Sequence, residues 1–179
     1  MTGDPAVAWT VACVLASVFG AAGVTKLRAL EVFAGVVGNY RLLPEVMVRP
    51  VAYALPMVEL IAALGLLIPA SRPLAAAMIV LLLLAFAAAM AANLRRGRDH
   101  IDCGCFTSLL KQRISRALVA RNLVLAAAGL ALVAGDGAGR ALTGLDWLTV
   151  GAGTASALFL HAAIGRLFGL APPRLEGAS

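Results

Sequence analysis

The residues best able to do chemistry gather in one short string, His100-Ile101-Asp102-Cys103-Gly104-Cys105-Phe106. Two cysteines separated by a single glycine are poor packing residues. A bond between them would close a very small ring, strained and therefore easily reduced, which is the property of a labile or catalytic disulfide. Gly104 allows the tight backbone such a ring needs. Arg95, Arg96, Arg98 and Lys111 lie nearby in sequence and favour a thiolate, whereas Asp102 acts against it. The spacing therefore predicts a redox-active dithiol, Cys103 with Cys105. The same string admits a metal reading, in which His100, Cys103 and Cys105 are soft or borderline ligands and a fourth comes from Asp99, Asp102, a second copy or a partner. It also admits a bland one, two reduced thiols in a loop. The remaining cysteine, Cys13, lies about 18 Å deeper by helix rise and reads as a small buried hydrophobe.

Two further titratable residues fall inside apolar stretches. Glu59 stands roughly 13 Å from one end of its stretch and His161 roughly 10 Å from the same side of another, at 1.5 Å per residue. A carboxylate at that depth is costly in hydrocarbon and marks a functional site by default. The shared depth predicts a Glu59–His161 hydrogen bond or proton relay, against the plainer reading that each meets water or a backbone group. Lys26 and Arg121 sit near the ends of their stretches, where they can snorkel, and either can pair with Glu59. The sequence contains no Ser-His-Asp set, phosphate-binding glycine loop or HExxH string, so the chemistry of soluble hydrolases and nucleotide enzymes is not expected.

The elements that must position these residues are membrane spans. The chain of 179 residues is 61% hydrophobic and 13% charged, against about 45–50% and about 25% for soluble domains. Apolar runs at 6–24, 51–68, 73–92, 117–134 and 147–167 are each roughly 18–22 residues, enough for a hydrocarbon core about 30 Å thick. A four-span reading remains open because the second and fourth runs are the shortest. The expected fold is all-α: a polytopic transmembrane bundle of about five spans with a four-helix core, forming a single membrane domain over 1–171 with a loose tail at 172–179. The eighteen glycines suit close helix approach in such a bundle. Asp4 is the only charge before the first run, so the start lacks the positive region of a cleavable signal and the first span is expected to stay.

Between the first two runs, Phe33, Val36, Val37 and Tyr40 recur at helical spacing among Arg28, Glu31, Asn39 and Arg41. This predicts a short amphipathic helix at the membrane surface over 29–43, stopped by Pro44. Thirteen of the fifteen basic residues fall in the first and third connections, the adjoining span ends and the C-terminal end. Only Arg72 and Arg140 fall on the other side. The positive-inside rule then places the N-terminus outside and the C-terminus in the cytoplasm of a bacterial inner membrane. The net charge of +6 is thereby a topology signal, and no nucleic-acid partner is expected. It also puts Cys103 and Cys105 on the cytoplasmic side, where stable disulfides are rare. A dithiol there would trade electrons with cytosolic reductants or sit in a partly buried interfacial pocket.

The order of strings carries a resemblance. Ala21-Ala22-Gly23-Val24-Thr25-Lys26-Leu27 closes the first span; Phe33 and Tyr40-Arg41-Leu42-Leu43-Pro44 follow; then Leu55-Pro56-Met57-Val58-Glu59-Leu60; then Ile101-Asp102-Cys103-Gly104-Cys105-Phe106. Over roughly residues 10–135 this resembles the MauE family of methylamine utilisation membrane proteins, within the broader DoxX-like group. The cysteine string is the most specific part. Thr107 stands where the family string usually continues with glycine. The resemblance implies an inner-membrane accessory protein linked to maturation of the methylamine dehydrogenase small subunit, a disulfide-rich client with a tryptophan-derived quinone. It implies a thioredoxin-like partner (MauD-like). It carries Cys103 and Cys105 over as the redox pair, and Glu59 and Lys26 as framework or proton-handling residues.

The function expected is thus a redox accessory supporting thiol–disulfide exchange or maturation of a partner, an oxidoreductase component if it is an enzyme at all. No cofactor is fixed by the residues, though the DoxX-like relationship admits a membrane quinone as acceptor. With three cysteines, a second pair would have to come from a partner. The rival readings are a non-enzymatic assembly scaffold, and a small-molecule or metal transporter using Glu59 and His161.

Overall fold

The computed structural model describes residues 4–98, 101, 103, 113–134 and 140–169. All helices among these residues follow from recognisable start and stop chemistry. Helix α1 spans Pro5–Arg28; the Asp4 carboxylate accepts the Ala6 N–H at 2.8 Å, and Pro5 occupies the first turn, where a missing N–H costs nothing. The chain breaks at Ala29 and resumes as α2, Leu30–Asn39. The amphipathic helix therefore exists, but it stops at Asn39. Arg41 turns into the left-handed region at φ 47°, and Pro44 instead opens the next helix from an extended conformation.

Helix α3 spans Glu45–Leu66, so it begins before the expected 51 and ends before 68. It continues through Pro50 and Pro56. Each removes one helical N–H, which in a membrane bundle neighbouring groups and local adjustment can tolerate. Helix α4 spans Arg72–Arg95, and Gly97 just beyond it takes a φ of 69°, a conformation that favours glycine. Helix α5 spans Arg116–Ala134, with the Ser115 hydroxyl accepting the Leu118 N–H at 3.3 Å. Helix α6 spans Gly144–Gly169 and opens on a reciprocal cap. The Asp146 carboxylate accepts the Thr143 N–H at 2.7 Å, and the Thr143 hydroxyl accepts the Asp146 N–H at 3.4 Å.

Five of these helices are long and apolar enough to cross a membrane, and the short α2 is the exception. Helices α1, α3, α4 and α5 pack in a ring, each against two of the others, which is the four-helix core; α6 lies against α1 outside it. The main core is built from small and branched side chains such as Ala12, Leu15, Phe19, Ala62, Leu66, Ala76, Ile79 and Ala126. Gly23 sets the approach of α1 to α3, because a Cβ there would lie 2.9 Å from Leu60 Cγ and 3.1 Å from the Pro56 carbonyl oxygen. Large apolar side chains such as Leu64, Leu74, Leu81, Val124 and Phe159 point outward, as a lipid-facing surface requires.

The two ends of the bundle differ in chemistry. At one end the Arg140 guanidinium meets Asp146 at 2.5 Å and Asp4 at 3.3 Å, and hydrogen bonds to these carboxylates push its pKa still higher than usual. Beneath it, Trp9 and Trp147 pack with ring centroids 5.4 Å apart, and Arg72 lies over Trp9. This clasp ties the starts of α1 and α6. At the other end lie α2, the C-terminal ends of α1 and α4, and the starts of α3 and α5, together with most of the basic residues.

Candidate functional site

Cys103 lies at the basic end, half-buried beside the α4 residue Met90, with Sγ 3.9 Å from the Met90 Sδ. Its surroundings are held at two points. The Ile114 N–H donates to the Ile101 carbonyl at 3.0 Å, and Ile101, Ile114, Leu118 and Met90 form a small apolar cluster beneath it. The Tyr40 hydroxyl donates to the Cys103 carbonyl at 3.2 Å. Arg98 reinforces the same seam, donating to the Asn39 carbonyl at 3.0 Å and to the Asn93 side chain at 3.2 Å. The end of α2 is thereby tied both to the end of α4 and to Cys103. His100, Asp102, Gly104, Cys105 and Phe106 lie outside the described residues, and with them the Cys103–Cys105 bridge and the three-ligand metal set.

An apolar groove of about 290 Å³ runs from Cys103 between α2, α3 and α4. Phe33, Val37 and Tyr40 of α2 form one wall, Leu55 of α3 the second, and Phe86 and Met90 of α4 the third. Cys103 therefore borders a cavity whose walls are almost entirely hydrocarbon. The third cysteine, Cys13, is half-buried in α1 and forms no disulfide among the described residues.

Behind the groove is the buried ion pair of Lys26 and Glu59, with the two residues 2% and 0% exposed. Lys26 thus turns inward rather than snorkelling. Its ammonium sits between the rings of Phe33 and Phe86, 5.1 Å from each centroid, so the cation is held by a carboxylate and two aromatic faces. A cavity of about 30 Å³ adjoins the pair, and Glu59, Arg121, Asn122 and His161 all line it. Glu59 and His161 thus line one cavity, and Lys26 is a partner of the carboxylate. Asn122 is 2% exposed, and its Nδ2 has no hydrogen-bond partner among the described residues. A polar cavity of that size has room for about one water. Phe86 lines both the thiol groove and this cavity, so a single ring separates the two.

Sequence reasoning named Tyr40 only as part of the amphipathic helix and a family string, and did not single out Phe86, Asn93 or Asn122. The asparagines carried a usable signal, since an amide inside an apolar span needs a partner. Tyr40 and Phe86 carried none, because an aromatic at helical spacing looks the same whether it packs or holds a cation.

A family model described as methylamine utilisation protein MauE matches residues 4–135, which covers α1 to α5. Among curated relatives, the methylamine utilization protein MauE of Paracoccus denitrificans is 49% identical over 132 residues, 74% of this chain and 71% of that protein. The protein of the same name from Paracoccus versutus is 45% identical over 131 residues, 73% of this chain and 70% of its own. That from Methylophilus methylotrophus is 44% identical over 137 residues, 75% of this chain and 71% of its own. No solved structure matches. His161, on α6, lies beyond the family match, while Lys26, Glu59, Cys103, Cys105 and Asn122 fall inside it. With its five apolar membrane-length helices and its agreement with the family model over most of its length, the chain is a multi-pass membrane protein and belongs to the MauE family.

Proposed function

We propose that this protein is a redox accessory of the bacterial inner membrane that supports thiol–disulfide exchange during maturation of a partner protein. The observation that carries the reading is the setting of Cys103, a half-buried thiol whose backbone carbonyl accepts the Tyr40 hydroxyl, facing an apolar groove at the basic end of the bundle. Cys103 and Cys105 are the reactive pair. A thiolate of a thioredoxin-like partner attacks the Cys103–Cys105 disulfide, forming a mixed disulfide and releasing one thiolate. The partner's second thiolate then displaces the remaining sulfur, leaving the partner oxidised and this chain reduced by the same two electrons. The family name points to methylamine utilisation, and the client in that setting is the disulfide-rich small subunit of methylamine dehydrogenase.

The reduced pair must pass its electrons on. The apolar groove beside Cys103 fits the ring and first isoprenoid unit of a membrane quinone, which when bound would take up two electrons and two protons. Phe33, Val37, Leu55 and Phe86 would hold it, with Cys103 and the Tyr40 hydroxyl at its polar edge. Glu59 is the proton-handling residue of this scheme and Lys26 its counter-ion, one aromatic ring behind the groove. The basic end is assigned to the cytoplasm, with the N-terminus outside, on the strength of its thirteen basic residues against two.

Thiol labelling tests the reading. Intact cells are treated with a membrane-impermeant maleimide, and lysed cells with a permeant one, each with and without prior reduction. The expected result is that Cys103 and Cys105 are protected in intact cells and label after lysis only when reductant is added. Labelling from outside would reverse the topology. Free thiols that never change redox state, together with partner maturation that survives the Cys103→Ser/Cys105→Ser double variant, would establish the scaffold reading instead.

A further inference from the structure

We propose that the polar groove between α2 and the start of α3 is a headgroup site for a phospholipid bearing a primary ammonium, a phosphatidylethanolamine. The groove has a volume of about 730 Å³, within the range of about 300–1,000 Å³ typical of ligand pockets. Its rim carries two carboxylates, Glu31 and Glu45, and two guanidiniums, Arg41 and Arg49. Its floor is the small-residue face of α2, including Gly35 and Gly38. A Cβ on Gly35 would meet nothing within 4 Å, so that position opens into the groove.

The four rim charges sum to zero, and Glu31 also accepts a hydrogen bond from the Tyr53 hydroxyl at 2.9 Å, which holds one of its oxygens toward α3. The Glu31–Arg49 contact is 3.4 Å long, between side chains 67% and 75% exposed. Such a pair is weak in water and is readily exchanged for a ligand's charges. A phosphate placed between Arg41 and Arg49 would make charge-assisted hydrogen bonds, and an ammonium would do the same with Glu31 and Glu45. A net-neutral headgroup with both charges fits this rim. An anionic glycerol headgroup leaves the carboxylates facing phosphate, and a choline headgroup donates no hydrogen bond to them.

The surroundings point to an amphiphile rather than a soluble peptide. Leu43 lines both the polar groove and the apolar groove beside Cys103, so the two adjoin at that residue. Leu42, Leu43, Val46 and Met47 are all exposed in the turn and first residues that lead into α3. They supply an apolar flank for acyl chains where the headgroup is held. The site depends on neither the cysteines nor the ion pair, so it stands apart from the redox scheme.

The test uses the full chain purified in detergent and exposed to equal mole fractions of dioleoyl phosphatidylethanolamine, phosphatidylglycerol and phosphatidylcholine, with bound lipid read by native mass spectrometry. The wild type should retain the ethanolamine lipid about tenfold over the other two, as one or two hydrogen bonds between charged groups allow. Glu45→Gln and Arg41→Gln should each lower that preference severalfold. Gly35→Leu, which fills the groove and favours the helix, should abolish it while leaving the melting temperature of the lipid-free protein unchanged or raised. Equal retention of all three lipids would overturn the proposal. So would a preference for phosphatidylglycerol that survives Glu45→Gln, or ethanolamine lipid retained in full by Gly35→Leu.

Discussion

Replacing Lys26 with methionine should be the most damaging single change in the bundle, and more damaging than replacing its partner. Methionine keeps the length and apolar packing of the lysine stem, so the change isolates the charge. The Glu59 carboxylate, fully buried, then loses the Lys26 ammonium. Breaking a buried pair by removing one partner costs about 3–5 kcal/mol. The ammonium also lies 5.1 Å from each of the Phe33 and Phe86 centroids, and a desolvated cation–π contact contributes about 0.5–2 kcal/mol. Those two contacts are lost in Lys26→Met but kept in Glu59→Gln, where the ammonium retains both rings and the amide oxygen can still accept its hydrogen bond. Lys26→Met should therefore exceed Glu59→Gln by about 1–3 kcal/mol. The double variant Lys26→Met/Glu59→Gln removes both charges and should recover most of the loss, with a coupling of about 2–3 kcal/mol. Reversible unfolding in mixed micelles titrated with a denaturing detergent, followed by circular dichroism, measures all three. If Glu59→Gln proves the more destabilising, or the coupling falls below about 0.5 kcal/mol, the assignment of Lys26 as a cation sheltered by rings is wrong.

Other changes bear on separate parts of the structure. Gly23→Ala should cost about 1–3 kcal/mol, because its Cβ would press on Leu60 and on the Pro56 carbonyl; thermal unfolding in detergent measures it. Tyr40→Phe removes the hydrogen bond to the Cys103 carbonyl and should raise the alkylation rate of Cys103 about 2–10-fold in reduced protein of a Cys13→Ala/Cys105→Ser background. An unchanged rate would mean that Tyr40 does not restrain Cys103. Arg140→Ala unfastens Asp4 from Asp146, and hydrogen exchange should quicken at the starts of α1 and α6 while global stability falls by no more than about 1 kcal/mol. Glu59→Gln should slow thiol turnover in the membrane without releasing the fold, whereas Cys13→Ala should leave turnover unchanged.

The spans were legible because hydrocarbon imposes a length and a composition, and both can be read residue by residue. The start of α3 was not, because Arg49 and Pro50 interrupt the apolar pattern and each normally marks a boundary. The helix runs through them because Pro44 and Glu45 start it earlier. Depth along a helix follows from counting, so Glu59 and His161 could be placed at one level without coordinates. Which neighbours Glu59 meets depends on the rotation of α1 and of its own helix about their axes. Lys26, near a helix end, could face either headgroups or core. What decides for the core is the pair of rings from α2 and α4, which are remote in sequence. The link from Tyr40 to Cys103 is equally remote, and no periodicity announces it.

The buried pair has a consequence for how the chain is made. On a ribosome, α1 emerges first, and Lys26 near its trailing end can reach the headgroups while it waits. Glu59 stands mid-helix in α3 and has no such refuge. Releasing α3 alone into lipid would cost about 2.5–3.5 kcal/mol for the carboxylate. The cation is thus already in the bilayer when the anion arrives, and α3 has reason to leave the insertion machinery only against α1. Synthesis order and charge order coincide, so the first long-range contact of the bundle can form before α4 is made.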